Sequence, residues 1–314
     1  MSGDVDIVVP TLRRPDSLRR ALESLLTLTG VEGRIASVVV VDNDPAGSAR
    51  AVVEALTAET AMPLVYVATP RPGIATARNA GVAAGRSALV AFLDDDEVAS
   101  PGWLKALLDV QSSTGADAVF GPIRGRADGA APWLRPYLEV FFGRQGPAAS
   151  GLSDHAWGCG NSLVVRATAL PGHAPFDVAA DQTGGEDDAL FRGLSERAGR
   201  FAWAAEAWVD EFAPAHRATL RYALSRAFAY GQGPSQDAAA RRDWVGVARW
   251  MIIGAGQTVV WGAAATALWL ARRPARATMM DRAARGAGKL FWMRGLEPRF
   301  YGAREVARLE RAAA

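Results

Sequence analysis

Leu89-Val90-Ala91-Phe92-Leu93-Asp94-Asp95-Asp96-Glu97 is the stretch around which the rest of the chain is arranged. An apolar run breaks off in four consecutive acids. A short apolar run of this kind reads as a strand buried on both faces. In an open α/β sheet, ligands gather at the carboxyl ends of such strands. Neighbouring carboxylates repel one another and cost stability unless a cation lies among them. If the backbone stays extended, Asp94 and Asp96 project to one side and Asp95 to the other. Two carboxylates in a cleft suit Mg²⁺ or Mn²⁺ shared with substrate phosphates. A solvated acidic turn is the plainer alternative, but so apolar a strand does not fit an edge hairpin.

The flanking sequence supplies the sheet to which this strand belongs. Residues 5–10, 36–42 and 64–68 read as strands. Helices are expected at 15–29, where Leu18, Leu22, Leu25 and Leu26 share a face, and at 47–59 and 73–84. Such strand–helix alternation implies a largely parallel sheet with right-handed crossovers. Further on, a helix is expected at 101–113 and strands at 117–123, 159–165 and 201–209. A helix is expected at 189–198. Residues 125–153 are rich in Gly, Pro and aromatics and read as a short helix between loops. After Pro214 the chain reads as all-helical.

The chain has 314 residues, which suits one large domain with an appendage or two domains. We expect a catalytic domain over 1–215 and a helical, basic extension over 216–314. Half the residues are hydrophobic, and the mean hydropathy is +0.03. The short polar start, Met1 to Asp4, leads us to expect no secretory signal. A single cysteine, Cys159, excludes an internal disulfide framework and fits a reducing compartment. The formal charge is only +2, but from Arg272 onward eleven Lys and Arg face four Asp and Glu, a net +7. A basic tail points to an anionic partner, and without a nucleic-acid-reading pattern we expect lipid, not nucleic acid.

Several stretches near the strand ends carry chemistry. Pro10-Thr11-Leu12-Arg13 follows the first strand, where Thr11 could bond a nucleotide and Arg13 face phosphate. Asp42 ends the second strand and is placed either for a ribose hydroxyl or base N–H, or as a helix cap. In Arg71-Pro72-Gly73 through Arg78-Asn79, Gly73 permits a tight turn and Arg78 could reach back toward the strand ends; a surface arginine is the alternative. Gly184-Gly185-Glu186-Asp187-Asp188 is a second acidic cluster. Acids at a helix start are favoured by its dipole, yet three after two glycines exceed what capping needs. Such a carboxylate can act as general base toward an acceptor hydroxyl. Trp157 could stack on a sugar or pack in the core. His216 is either a further metal ligand or a loop histidine without a role. Neither a P-loop nor a dinucleotide-binding glycine pattern follows any strand.

Together, Val8-Val9-Pro10-Thr11, Val40-Val41-Asp42-Asn43, Arg71-Pro72-Gly73 with Ala77-Arg78-Asn79, Phe92-Leu93-Asp94-Asp95-Asp96, Gly160-Asn161 and Gly184-Gly185-Glu186-Asp187-Asp188 resemble the family 2 glycosyltransferases of GT-A fold. The segment from Arg217 to Gly231 is similar to the bacterial exopolysaccharide subgroup that includes succinoglycan-type enzymes. The resemblance implies a mixed, mostly parallel α/β sheet flanked by helices, and inverting transfer of a sugar from a nucleotide-sugar, usually UDP-linked. It implies nucleotide-binding roles for Pro10, Thr11, Arg13, Asp42, Arg71, Arg78 and Asp95, and Mg²⁺ or Mn²⁺ on Asp94 and Asp96. Asp187 would be the catalytic base, with Glu186, Asp188 and Trp157 toward the acceptor. Many members place a metal-binding His after the last strand, but here that place reads Asp210-Glu211-Phe212. Alternatives are a sugar-phosphate nucleotidyltransferase, which would want a glycine-rich loop where this chain has residues 10–15, and a non-catalytic sugar-binding assembly subunit.

Residues 250–271 carry no formal charge and are long enough to span a bilayer. Three glycines, six alanines and Gln257 make insertion weak, and spanning would carry the +7 tail across against the positive-inside tendency. The expectation is a cytoplasmic protein lying on the inner face of the membrane. Trp244, Trp250, Trp261, Trp269 and Trp292 would anchor it, and the acceptor would be a glycan on polyprenyl diphosphate. A buried helix, or one packed in a homodimer, is the alternative.

Overall fold

Val, Ile and Leu dominate the first strands, and the sheet they form is covered on both faces. The structure, a computed structural model, describes residues 3–69, 71–298 and 300. Arg299, Arg304, Arg308 and Arg311 of the basic tail, and Met1 and Ser2 of the polar start, lie outside the described residues. In order, the first elements are β1 (Val5–Thr11), α1 (Pro15–Leu25), β2 (Ile35–Asp42), α2 (Arg50–Glu59), β3 (Leu64–Ala68), α3 (Ile74–Ala84), β4 (Leu89–Phe92), β5 (Glu97–Ala99) and α4 (Trp103–Thr114). Then come β6 (Ala118–Phe120), β7 (Ile123–Arg126), α5 (Arg135–Phe142), β8 (Gly151–Ser153), β9 (Ser162–Val165), α6 (Arg166–Ala169), α7 (Glu186–Glu196), β10 (Phe201–Trp203) and β11 (Val209–Phe212). Helices α8 (Leu220–Ala240), α9 (Trp244–Leu270) and α10 (Arg276–Leu290) follow.

An eight-stranded sheet has the order β3-β2-β1-β4-β9-β6-β10-β8. β1 pairs in parallel with β2 and β4, β2 with β3, and β6 with β10. β9 runs antiparallel between β4 and β6, and β8 is an antiparallel edge on β10. Alternation along the strands separates two cores. Ile7, Val9, Val38, Val40 and Leu163 face α1, α2 and α4, whereas Val8, Val39, Val41, Phe92 and Phe120 face α3 and α7. At about 25 cal/mol per Å² of apolar area removed from water, each fully buried Val or Phe contributes about 1.5–3 kcal/mol.

Three expectations need correction. Residues 117–123 are not one strand, because Gly121-Pro122 breaks the ladder and sends β6 and β7 into different sheets. Residues 201–209 divide likewise: β10 stays in the large sheet, while β11 joins a three-stranded sheet of order β5-β11-β7. The acid run is not extended either. Glu97 N–H donates to Asp94 O at 3.0 Å, so Asp94 to Glu97 close a turn between β4 and β5, and two-residue alternation does not govern Asp94, Asp95 and Asp96.

The chain forms two compact units. One comprises Met1–Arg124 and Gly143–Glu211 with Phe300; the other comprises Gly125–Phe142 and Phe212–Pro298. The aromatic excursion before residue 143 thus groups with the C-terminal helices, a grouping that a linear division at 215 does not contain. In the second unit Leu134 and Leu138 pack with Ala218, Ala223 and Ala277. α9 and α10 approach so closely at Gly254 and Gly286 that a Cβ at Gly286 would lie 2.8 Å from Gly254 O.

Candidate active site

The parallel strands deliver their carboxyl ends to one rim, and the turn after β4 lies on it. Thr11 Oγ1 donates to Asp95 Oδ2 at 2.7 Å. Arg14 Nη1 reaches both Asp95 Oδ1 and Asp96 Oδ2 at 2.9 Å. Arg13 has a left-handed backbone, φ 54°, and its Nε donates to Asp44 Oδ1 at 3.1 Å. Pro10 is buried at the end of β1. Arg71 is exposed, and its carbonyl accepts from Asn43 Nδ2 at 2.9 Å.

Asp42 is completely buried. Its Oδ1 accepts from Asp44 N at 3.1 Å, and its Oδ2 accepts from Ala49 N at 2.8 Å and Tyr66 OH at 2.9 Å. Ala49 is the N-cap of α2, so the carboxylate here caps the α2 turn. Asn43 Oδ1 accepts from Gly73 N at 2.6 Å and so ties the second strand's end to the start of α3.

Arg78 joins the two acidic clusters. It is buried, donating to Asp94 Oδ1 at 3.3 Å and pairing with Glu186. Glu186 is therefore turned inward to a cation. Gly184 and Gly185, with φ of 82° and 88°, take the left-handed turn that starts α7. Asp187 then stays partly exposed: its Oδ2 accepts from Cys159 N at 3.0 Å and its Oδ1 from Asp188 N at 2.9 Å. Asp188 is exposed. Trp157 is partly buried and packs against Phe120, His155 and Trp203, at centroid distances of 5.6, 4.7 and 4.6 Å.

The acids differ in openness. The Asp94 side chain keeps 36 % exposure, while Asp95, Asp96, Glu97 and Glu186 are buried. Burial raises the pKa of Asp94; Arg78 opposes the rise and Asp96 adds to it. Glu97 is pushed well above the usual carboxylate range, first by burial and then by Asp94, while Asp94 N–H donates to its Oε2 at 2.9 Å. Burial also raises Glu186, with Arg78 opposing and Asp187 adding. Asp96 and Asp187 both disfavour charge on Asp94, so a cation beside it is favoured.

Among the described residues, no group of three His, Cys, Asp or Glu side chains gathers to hold a metal. His216 belongs to the second unit. Asp94 and Asp96 supply two hard oxygen donors, and Mg²⁺ is held by one or two carboxylates together with substrate phosphates. The donor set thus fits a metal that arrives with a phosphorylated substrate.

Sequence reasoning missed Arg14, Glu97 and Arg144. Arg14 stands beside the arginine that was singled out, and in the fold it is Arg14 that meets Asp95 and Asp96 while Arg13 meets Asp44. Glu97 belongs to the acid run, but only the turn reveals its bond to Asp94. Nothing local marks Arg144.

A family model described as glycosyl transferase family 2 matches residues 6–167. Succinoglycan biosynthesis protein ExoM of Rhizobium meliloti (strain 1021) is 36 % identical over 304 residues, spanning 96 % of this chain and 97 % of that protein. Succinoglycan biosynthesis protein ExoO of the same organism is 34 % identical over 113 residues, 36 % of this chain and 31 % of that one. Among solved structures, S. aureus TarS 1-349 in complex with UDP-GlcNAc is similar with a TM-score of 0.52 at 15 % identity, over 66 % of this chain and 58 % of that one. A second structure of S. aureus TarS 1-349 gives 0.53 at 16 % identity, over 71 % of this chain and 64 % of that one. This chain therefore spans less than two thirds of TarS 1-349 but nearly all of ExoM, and the structural likeness shows the fold alone. The mixed, mostly parallel sheet with flanking helices and a helical C-terminal region is the expected GT-A architecture. With the family model matching over half of its length and a relative matching along nearly all of it, the chain belongs to glycosyl transferase family 2.

Proposed function

We propose that the protein moves a sugar, with inversion, from a UDP-linked nucleotide-sugar to a glycan hydroxyl on a polyprenyl diphosphate during exopolysaccharide assembly. One observation carries this reading: Asp94 stays open on the β4 turn, and the partly exposed Asp187 stands across residues 158–161 from it. Asp94 and Asp96 would hold Mg²⁺ or Mn²⁺; bound there, the ion offsets charge on the departing diphosphate. Thr11 and Arg14 hold Asp95 and Asp96 in place. Arg13 and Arg71 lie nearby to receive phosphate and nucleoside. Asp187 would take the proton from the acceptor hydroxyl, with Asp188 and Trp157 lining the acceptor side. A single base suffices, because direct displacement needs no second carboxylate to protonate a leaving sugar oxygen. The succinoglycan name of ExoM supports the exopolysaccharide setting, and the UDP-GlcNAc complex of TarS makes a UDP-sugar the first donor to try.

The membrane reading belongs to the second unit. α9 has 27 residues and contains an 18-residue stretch with a mean hydropathy of 1.4 and little burial, so by length and composition it is able to cross a membrane. Val245, Ile252 and Val259, spaced by seven residues, are 82 %, 73 % and 70 % exposed and form one outward stripe. Trp244 and Trp269 are exposed as well, whereas Trp250, Trp261 and Trp292 are partly covered. The other side of α9 packs on α10. A helix with one packed and one apolar exposed side, flanked by Arg241, Arg242, Arg272 and Arg273 and carrying Arg249 near its start, suits the cytoplasmic leaflet.

Release of nucleoside diphosphate from a panel of nucleotide-sugars, in Mg²⁺ or Mn²⁺ and in excess chelator, tests the enzyme reading. Asp187→Asn is expected to lower turnover by about 10²-fold or more while leaving donor affinity in place. Full turnover in chelator refutes the metal, and full turnover of Asp187→Asn refutes the base.

A further inference from the structure

Arg144 follows α5 and forms a two-way backbone bridge to Ile123, at 2.9 and 3.0 Å. Its guanidinium is spent on main-chain carbonyls. Nε donates to Gly121 O at 2.9 Å, Nη1 to Gly158 O at 2.8 Å, and Nη2 to Gly160 O at 2.7 Å and Asn161 O at 2.8 Å. Three of these acceptors belong to one four-residue loop, 158–161. The planar, rigid fork of arginine suits several carbonyls at once; a lysine ammonium does not reproduce it.

The loop is the piece of backbone that touches both acids of the proposed reaction. Cys159 N–H donates to Asp187 Oδ2 at 3.0 Å. Gly160 lies so near Asp94 that an added Cβ would stand 2.7 Å from Asp94 Oδ2. Asn161, with φ 51°, anchors the far end: Nδ2 donates to Pro122 O at 2.7 Å and Ala207 O at 2.9 Å, and Oδ1 accepts from Trp103 Nε1 at 2.7 Å. Asn161 thus secures one end, and Arg144 secures the glycine-bearing stretch on which both acids rest.

We infer that Arg144 is a positioning residue that sets the placement of Asp187 relative to Asp94 by holding the carbonyls of 158–161. This rests on Asp187 as the base. The acids proposed to hold the donor's metal have further supports outside this loop: Thr11 and Arg14 on Asp95, Arg14 on Asp96, and Arg78 on Asp94. Loss of Arg144 therefore acts on kcat and spares the donor KM.

The test compares the full chain with Arg144→Ala, Arg144→Lys, Asp187→Asn and the Arg144→Ala/Asp187→Asn double variant. Turnover is read by nucleotide release, and the loop by reaction of Cys159 with an aromatic disulfide reagent. Cys159 is the single cysteine; it is buried, and its thiol is pushed up by burial, so it reacts slowly in the native protein. Arg144→Ala is expected to lower kcat by about 10²-fold, with the donor KM within about threefold, and to speed Cys159 labelling. Arg144→Lys, which keeps the charge, is expected to fall between and serves if the alanine variant does not fold. The double variant is expected to lose little beyond Asp187→Asn alone, because both changes act on one element. Unchanged kcat in Arg144→Ala and Arg144→Lys, unchanged Cys159 labelling, or multiplicative losses in the double variant overturn the inference while leaving the base assignment intact. Undiminished turnover of Asp187→Asn overturns that assignment and shows without any Arg144 variant.

Discussion

Gly160→Ala puts the site geometry to a direct test. The added Cβ would stand 2.7 Å from Asp94 Oδ2 and 3.1 Å from Glu97 Oε1. Comfortable contact begins near about 3.5 Å, so a gap of about 0.8 Å must be opened. Neither side yields easily. Asp94 is held by Arg78 at 3.3 Å, and its backbone N–H by Glu97 at 2.9 Å. On the other side, Gly160 O is fixed by Arg144 at 2.7 Å. Overpacking of this kind costs about 1–3 kcal/mol. With about 2–4 °C per kcal/mol for a unit of this size, Tm should fall by about 2–12 °C. Activity should suffer more than stability, because a shift near 1 Å at a reacting centre costs about 10²-fold in rate. The assay pairs thermal unfolding with nucleotide release from the donor that turns over best. Gly233→Ala, in α8 with nothing within 4 Å of its Cβ, is the control and should leave both readouts near the starting protein. A Gly160→Ala protein with unaltered Tm and full turnover refutes the reasoning, since Asp94 would then have room that the geometry denies it.

Arg78→Met leaves Glu186 and Asp94 without their shared cation and should destabilise the protein by about 3–5 kcal/mol in urea unfolding; adding Glu186→Met should recover part of that, and no loss in the single variant contradicts the buried pair. Glu97→Gln should flatten the pH dependence of Tm. The folded-state pKa of Glu97 lies well above its unfolded value, so the native protein holds a proton that the unfolded chain releases, and stability falls as pH rises from about 4.3 toward that folded value. Identical slopes for the two proteins would contradict this. Ile252→Asp with Val259→Asp, on the outward stripe of α9, should abolish binding to anionic vesicles while leaving nucleotide release intact, and undiminished vesicle binding removes the membrane reading.

The sequence by itself determined the parallel half of the sheet and that acids follow β4. A β-branched run such as Val38-Val39-Val40-Val41 favours a strand covered on both faces, and Gly184-Gly185 permits the left-handed turn before the next helix, because apolar patterning and glycine's backbone freedom are local properties. The motifs at Thr11, Asp42, Arg78, Asp94 and Asp187 were legible for the same reason, each ending or following a strong local element. Partners across the fold were not. That 117–123 leaves the large sheet at Gly121-Pro122 involves Asn161, whose Nδ2 donates to both Pro122 O and Ala207 O and so ties together the segments that follow β6 and β10. The antiparallel insertion of β9 between β4 and β6 is likewise a choice between pairings that its four residues do not encode alone. Glu186 shares its local acidity with Asp187, yet only the position of Arg78, 108 residues away, turns it inward and leaves Asp187 open. Arg144 is the extreme case: its role consists of carbonyls from 14 to 23 residues distant, and a carbonyl has no sequence signature. Tertiary structure decides which of several equivalent charged groups are spent on holding the backbone and which remain for substrate, because that division depends on desolvation and on hydrogen bonds that exist only once the chain has closed.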